Sequence, residues 1–132
     1  MTSAKVLFVC SENACRSQMA EGFYNAMADK SEAESAGTFP SDSINPMAVE
    51  VMREVGIDIS RNKPKKLDLS RLGEFGRIIS FGCIAKAAFP AKERLVEWLI
   101  EDPSGKDIAF FRSVRDEIRL KVRQLCKEFE RA

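Results

Sequence analysis

The chain has 132 residues, 21 basic and 20 acidic for a formal charge of +1, with 45% hydrophobic and 31% charged residues. That is the make-up of a folded globular chain with length for one core and too little for two, so disordered, collagen-like and disulfide-scaffold classes are excluded and one domain over 1–132 is expected. The even charge gives no reason to expect nucleic acid. The absence of histidine removes Cys-His and Ser-His catalysis, imidazole proton shuttles and His metal ligands, leaving cysteine as the candidate nucleophile.

The apolar run Val6-Leu7-Phe8-Val9 is too short for a signal peptide and has no cleavage site after it, and nothing approaches the ~18 apolar residues of a membrane span. The expectation is a cytoplasmic protein without a membrane partner, whose four cysteines stay reduced. Strand one is Lys5 to Cys10, and a polar loop leads into a helix from about Ser17 to Asp29 with Met19, Ala20, Phe23, Ala26 and Met27 on one face. A short strand, Ala33 to Ala36, ends at Gly37. Asn45-Pro46 opens a second helix as N-cap and first helical residue; Val49, Met52 and Val55 form its stripe, and Gly56 stops it. Residues 57–70 are basic and irregular, and Lys63 to Lys66 read as a solvated loop.

A one-turn helix over Leu69 to Glu74 precedes a buried strand, Arg77 to Phe81. Residues 82–93 read as a loop in which Ala85 to Ala88 can turn helically; Leu95 to Leu99 is the last strand, and Asp102-Pro103-Ser104-Gly105 a turn. The final helix starts at Asp107 and carries Ile108, Phe111, Val114, Ile118, Val122, Leu125 and Phe129 down one face. Alternation of this kind specifies an α/β chain with a parallel sheet and helices on both faces. Ligands of such sheets sit beyond the carboxyl ends of the strands, so the loop after strand one is the first candidate site.

That loop is Cys10-Ser11-Glu12-Asn13-Ala14-Cys15-Arg16-Ser17. With four cysteines and eleven arginines in 132 residues, some Cys-x5-Arg occurs by chance in roughly one shuffled chain in three, but one followed by Ser in only about 3%. Five intervening residues let the backbone curl into a nest of inward N–H groups at a helix N-terminus, a cradle for a tetrahedral oxyanion formed by Ser11, Glu12, Asn13, Ala14, Cys15, Arg16 and Ser17. Arg16 grips two oxygens of the anion as a fork. The N–H dipoles and the positive charge favour the Cys10 thiolate, Ser17 donates a hydrogen bond to it, and Asn13 tolerates the left-handed backbone of such a loop.

The segment Val6 to Gly22, VLFVCSENACRSQMAEG, resembles the low-molecular-weight phosphotyrosine phosphatase superfamily, and specifically its thioredoxin-coupled arsenate reductase branch. Arg16-Ser17-Gln18-Met19-Ala20-Glu21-Gly22 is similar to the reductase form, where phosphatases usually have Pro after the Ser. Ser35-Ala36-Gly37, Asn45-Pro46, Gly56-Ile57-Asp58-Ile59-Ser60, Glu97-Trp98, Asp102-Pro103-Ser104-Gly105 and Val114-Arg115-Asp116-Glu117-Ile118 continue the likeness nearly end to end. The resemblance implies a three-layer fold with a four-stranded parallel sheet in flavodoxin-like order. It implies that Asp102 protonates the leaving oxygen and that Cys83 is the second catalytic cysteine, attacking the Cys10 adduct to leave a disulfide.

Three departures qualify what the resemblance implies. Phe89 stands before Pro90 where reductases usually carry a third cysteine. A Cys10–Cys83 disulfide is therefore reduced directly, another thiol substitutes, or efficient turnover has been lost. Cys15 can pair protectively with Cys10, and Cys126 reads as a core thiol. Some reductases bind potassium through positions matching Asn13, Glu21 and Ser35 plus an acid; here that acid is Lys65, so no metal is expected. Phosphatases follow Asp-Pro with tyrosines, and this chain has Ser104-Gly105.

The expected function is arsenate reduction by a monomer that takes arsenate or phosphate, holds no bound cofactor and uses thioredoxin or another dithiol as external reductant. The alternatives are a phosphatase working through a phosphocysteine, and an oxyanion-binding or redox-sensing module.

Overall fold

The structure is a computed structural model that describes residues 5–131. Four strands form one all-parallel sheet in the order β2-β1-β3-β4: β1 (Lys5–Cys10), β2 (Ala33–Gly37), β3 (Phe75–Ser80) and β4 (Leu95–Glu97). β1 lies inside the sheet, and every residue of it after Lys5 is buried, which is why its apolar run is continuous rather than alternating. Its side chains still alternate between faces: Val6, Phe8 and Cys10 join one core cluster, Leu7 and Val9 the other.

The first face is covered by three α-helices, α1 (Arg16–Met27), α2 (Pro46–Arg53) and α3 (Ile108–Arg131), which contribute Met19, Phe23, Val51, Met52, Phe111 and Ile118 to the cluster. Among the described residues the second face carries 3-10 helical turns at Leu69–Glu74, Lys86–Ala88 and Lys92–Arg94 and the loops around them, with Leu72, Phe89 and Ala91 packed on Leu7 and Val9. The three layers and the strand order are those expected. The unequal covering follows from segments 57–70 and 82–94, which lack the three-and-four apolar spacing that buries a full helix.

Boundaries differ from the sequence expectation where backbone bonding decides. Asn45 caps α2 as expected, its Oδ1 accepting from Met47 N at 2.9 Å, and Gly56 turns the chain out at φ +83. β3 starts at Phe75 rather than Arg77, because Phe75 already pairs with Lys5 across a register shift. β4 stops at Glu97 rather than Leu99: after a last ladder bond from Trp98 N–H to Ser80 O the chain turns, Ile100 N–H donating to Trp98 O at 3.1 Å, and the Trp98 ring packs on Phe8 and Phe81, both at 5.9 Å. Leu99 is left 82% exposed. Among the described residues no helix is long and apolar enough to cross a membrane.

At the amino-terminal edge of the sheet, Arg71 grips Glu34 with two hydrogen bonds of 2.9 and 2.8 Å, and Lys5 adds a third at 3.0 Å. The Arg71 bonds, helped by Lys5, bring the Glu34 carboxyl down to about 2 from an ordinary 4.5. A carboxyl depressed by folding stabilises the protein in full above its unfolded value, and that contribution is lost as pH falls through the folded one. Urea unfolding at stepped pH is therefore expected to show stability falling from about pH 4.5 towards 2, and Glu34→Gln to start lower at neutral pH and to fall less over that window.

Candidate functional site

All four strands point their carboxyl ends at one edge, and the loop leaving β1 there has its carbonyls turned outward. Ser11 O accepts from Phe39 N at 2.7 Å, Glu12 O from Ser41 N at 3.0 Å, Ala14 O from Asn45 N at 3.0 Å and Cys15 O from Met19 N at 2.9 Å; Asn13 O accepts from Gln18 Nε2 at 3.1 Å. In trans peptides the N–H opposes the carbonyl, so the N–H groups of residues 12–16 face the inside of the curl. Asn13 makes the turn possible at φ 54, a left-handed conformation that Asn adopts with little penalty. Gly37, at the end of β2, lets the loop approach: a Cβ there would lie 2.7 Å from Ser11 O and 3.0 Å from Asn13 N.

The resulting pocket is lined by Cys10, Ser11, Glu12, Ala14, Cys15, Arg16, Asp102 and Ser104. Cys10 is buried, with Sγ 2.9 Å from Ser17 Oγ. The direction of that bond follows from its neighbours. Asn13 Oδ1 accepts from Lys65 N at 2.9 Å, so the amide turns Nδ2 to Ser17 Oγ at 2.7 Å. Ser17 Oγ is thereby an acceptor for Asn13, and its one proton points at the sulfur. Ser17 stands in the first turn of α1, so the sulfur lies against both a hydroxyl donor and the N-terminus of that helix.

Arg16 is anchored by one side of its guanidinium. Nη1 donates to Phe81 O at 3.1 Å and Ile100 O at 2.8 Å, and the group stacks 5.7 Å from the Phe81 ring. Nε is buried without a hydrogen-bond partner, and Nη2 is 3.8 Å from Asp102 Oδ2. A buried unpaired N–H is costly, and here the Nε/Nη2 edge borders a pocket lined with N–H groups. That edge fits two oxygens of a tetrahedral anion. Asp102 lies across the pocket with its side chain 54% exposed, held by an Asx turn in which Oδ1 accepts from Ser104 N at 3.0 Å.

The other thiols sit in different surroundings. Burial, followed by the charge of Asp102, pushes Cys15 up to about 12, so it stays a thiol. Cys83 is half-buried, its Sγ 3.6 Å from Val9 O and 3.9 Å from Ser80 Oγ, and burial raises it too. It packs on the second face with Leu7 and Val9, whereas Cys10 packs on the first. The structure therefore brings Cys83 to the carbonyl of the residue before Cys10, across the sheet edge from the Cys10 sulfur. Gly82, at φ +89, turns the chain immediately before it. Cys126 lies on α3, remote from the loop, raised to about 11 by burial.

Of the positions compared with potassium ligands, Ser35 Oγ donates to Glu21, and Lys65 puts its positive charge near that carboxyl. Burial still leaves Glu21 above its usual range. Two site residues escaped sequence reasoning. Gln18 bonds Asn13 twice; it lies off the apolar stripe of α1, so neither its type nor its spacing marks it in the sequence. Gly37 marks only a strand stop in the sequence, because the approach of Ser11 and Asn13 that requires it exists only in the assembled loop.

Residues 5–132 match the family described as low molecular weight phosphotyrosine protein phosphatase. The chain is 35% identical over 124 residues to the glutaredoxin arsenate reductase of Synechocystis sp., covering 92% of this chain and 95% of that protein. It is similar to the low molecular weight protein tyrosine phosphatase of T. tengcongensis, with TM-score 0.86 and 30% identity over 96% and 99% of the two chains. An arsenate reductase solved in its phosphate-binding state matches with TM-score 0.82 and 35% identity over 96% and 98%.

Gly37→Ala is expected to push the loop out of its curl and to weaken phosphate binding by about tenfold or more, a loss of roughly 1.4 kcal/mol. Isothermal titration with phosphate checks this, with circular dichroism showing that the helices remain.

Proposed function

The chain belongs to the low molecular weight phosphotyrosine protein phosphatase family, and from that premise we propose that it is an arsenate reductase working through a Cys10 thiolate and resolved by Cys83. The observation that carries reduction over ester hydrolysis is the second thiol at the same sheet edge, 3.6 Å from Val9 O. Hydrolysis of a phosphocysteine has no use for it. The Ser104-Gly105 sequence after Asp102-Pro103 also leaves out the tyrosines that phosphatases of the family place there. Relatives named arsenate reductase over nearly their full length support the same reading.

Arsenate is held by the inward N–H groups of residues 12–16 and by the Nε/Nη2 edge of Arg16, which supplies charge where the transition state gathers it. The Cys10 thiolate attacks arsenic. A sulfur–arsenic bond forms, an arsenic–oxygen bond breaks, and Asp102 gives the departing oxygen its proton so that it leaves as water. Cys83 then attacks the Cys10 sulfur and loses its proton to solvent. The sulfur–arsenic electron pair stays on arsenic, which leaves as arsenite reduced by two electrons, and Cys10 and Cys83 remain as a disulfide. Reaching the sulfur requires Cys83 to give up Val9 O and pass over the end of β1 about Gly82.

An external dithiol, thioredoxin or a protein like it, restores the two thiols. Phe89 is buried among Leu7, Val9 and Ala91 on the second face, so a relay through that position is not available, and the reductant acts on the Cys10–Cys83 disulfide itself.

Cys83→Ser is expected to lower thioredoxin-coupled arsenate turnover by about a hundredfold or more while phosphate still binds, and mass spectrometry after one turnover of the unaltered chain is expected to find Cys10 joined to Cys83. Intact arsenate turnover in Cys83→Ser would overturn the resolving role of Cys83, and phosphate-ester hydrolysis with no arsenate reduction would replace this reading with the phosphatase one. Asp102→Asn is expected to lower the first step by roughly 10²–10⁴, the usual size of a lost general acid.

A further inference from the structure

Gln18 stands in the first turn of α1 with only 1% of its surface exposed, where an unpaired amide would be costly. All of it is engaged. Nε2 donates to Asn13 O and Asn13 Oδ1, both at 3.1 Å, and reaches Lys63 O at 3.5 Å; Oε1 accepts from Asn62 Nδ2 at 3.1 Å. Asn13 in turn orients Ser17, and Ser17 holds Cys10.

We propose that Gln18 is a positioning residue for the reaction, which keeps the Ser17 hydroxyl donating to Cys10 by fixing both the left-handed turn and the amide orientation of Asn13. The inference rests on Cys10 being the nucleophile. Its physical content is a competition for one proton. While Gln18 Nε2 and Lys65 N both occupy Asn13 Oδ1, the amide must offer Nδ2 to Ser17, and the Ser17 proton has only the sulfur to go to. Without Gln18 the Asn13 main-chain carbonyl loses its donor and Oδ1 keeps one of two. The side chain can then rotate, and Ser17 can donate to Asn13 Oδ1 instead. The thiolate loses a charge-assisted hydrogen bond, a stronger one than the neutral bond that replaces it.

The same side chain reaches outward. Asn62 and Lys63 belong to the basic segment between α2 and the 69–74 turn, and their bonds to Gln18, with Lys65 N on Asn13, pin that segment to the loop. The placement of a surface segment and the state of the nucleophile are thus joined through one glutamine. Asn62 is the outer end of the chain of bonds, and its loss frees Gln18 without touching the loop.

The test is the rate at which iodoacetamide modifies Cys10 in the full chain, followed by mass spectrometry of the site from mildly acidic to alkaline pH, in the unaltered protein, Gln18→Met and Asn62→Ala. Gln18→Met keeps the length of the side chain and removes its hydrogen bonds. It is expected to slow modification near neutrality by about tenfold and to move the rise in rate upward by about one pH unit, tenfold and one unit being equivalent. Arsenate kcat is expected to fall more than KM changes. Asn62→Ala is expected to move the profile the same way by less, and it carries the test should Gln18→Met not fold. Profiles that superimpose on the unaltered protein would overturn the proposal, as would lower activity with an unmoved profile, which is the mark of a merely structural residue. Failure of the nucleophile reading looks different: Cys10 in the unaltered protein would then react no faster than an ordinary thiol.

Discussion

A loop that turns its N–H groups inward has carbonyls to satisfy outside itself, and in this chain the donors for residues 11–15 come from Phe39, Ser41, Gln18, Asn45 and Met19. Those donors belong to the segment after β2, the start of α2 and the first turn of α1, so the pocket exists only when these elements are assembled around β1. The positive φ of Asn13 and the missing side chain of Gly37 are conditions of the same constraint: one lets the backbone turn, the other lets a second backbone approach. Polar burial on this scale is tolerated because nearly every group is paired, and the N–H groups left facing the pocket are those an anion would complete.

Within that frame burial and hydrogen bonding sort four chemically identical thiols into different roles. Cys15 and Cys126 are held firmly protonated by their apolar surroundings, the first to about 12 and the second to about 11. Cys83 is raised as well, but burial there is partial and Ser80 works against it. Cys10 has the shorter hydroxyl bond, 2.9 Å to Ser17 against 3.9 Å between Cys83 and Ser80, and a helix N-terminus behind it. Cys10 and Cys83 pack on opposite faces of the sheet.

Much of this was legible in the sequence, for reasons that can be named. The span of β1 follows from a buried apolar run, the start of α2 from Asn45-Pro46, and the cradle from Cys10, Arg16 and Ser17 at fixed spacing. The early end of β4 was not legible, because it depends on Trp98 turning to pack on Phe8 and Phe81, a tertiary contact that overrides local strand propensity. Nor were the anchors of Arg16, since main-chain carbonyls of Phe81 and Ile100 leave no trace in residue type. The covering of the second face by short turns was hidden by the same irregularity that produced it. Gln18 was visible as a letter, but its bonding to Asn13 depends on a turn that only the assembled loop adopts.

Arg16 holds Phe81 O beyond β3 and Ile100 O beyond β4 with one nitrogen, while its remaining edge borders the pocket. An oxyanion seated there is joined through Arg16 to two strand ends and through the loop N–H groups to a third, so it acts as a removable cross-brace on the sheet. Anything that binds only the folded chain shifts its unfolding equilibrium by mass action. Occupancy of the pocket by an oxyanion would therefore raise the heat resistance of the chain in step with the concentration of that anion.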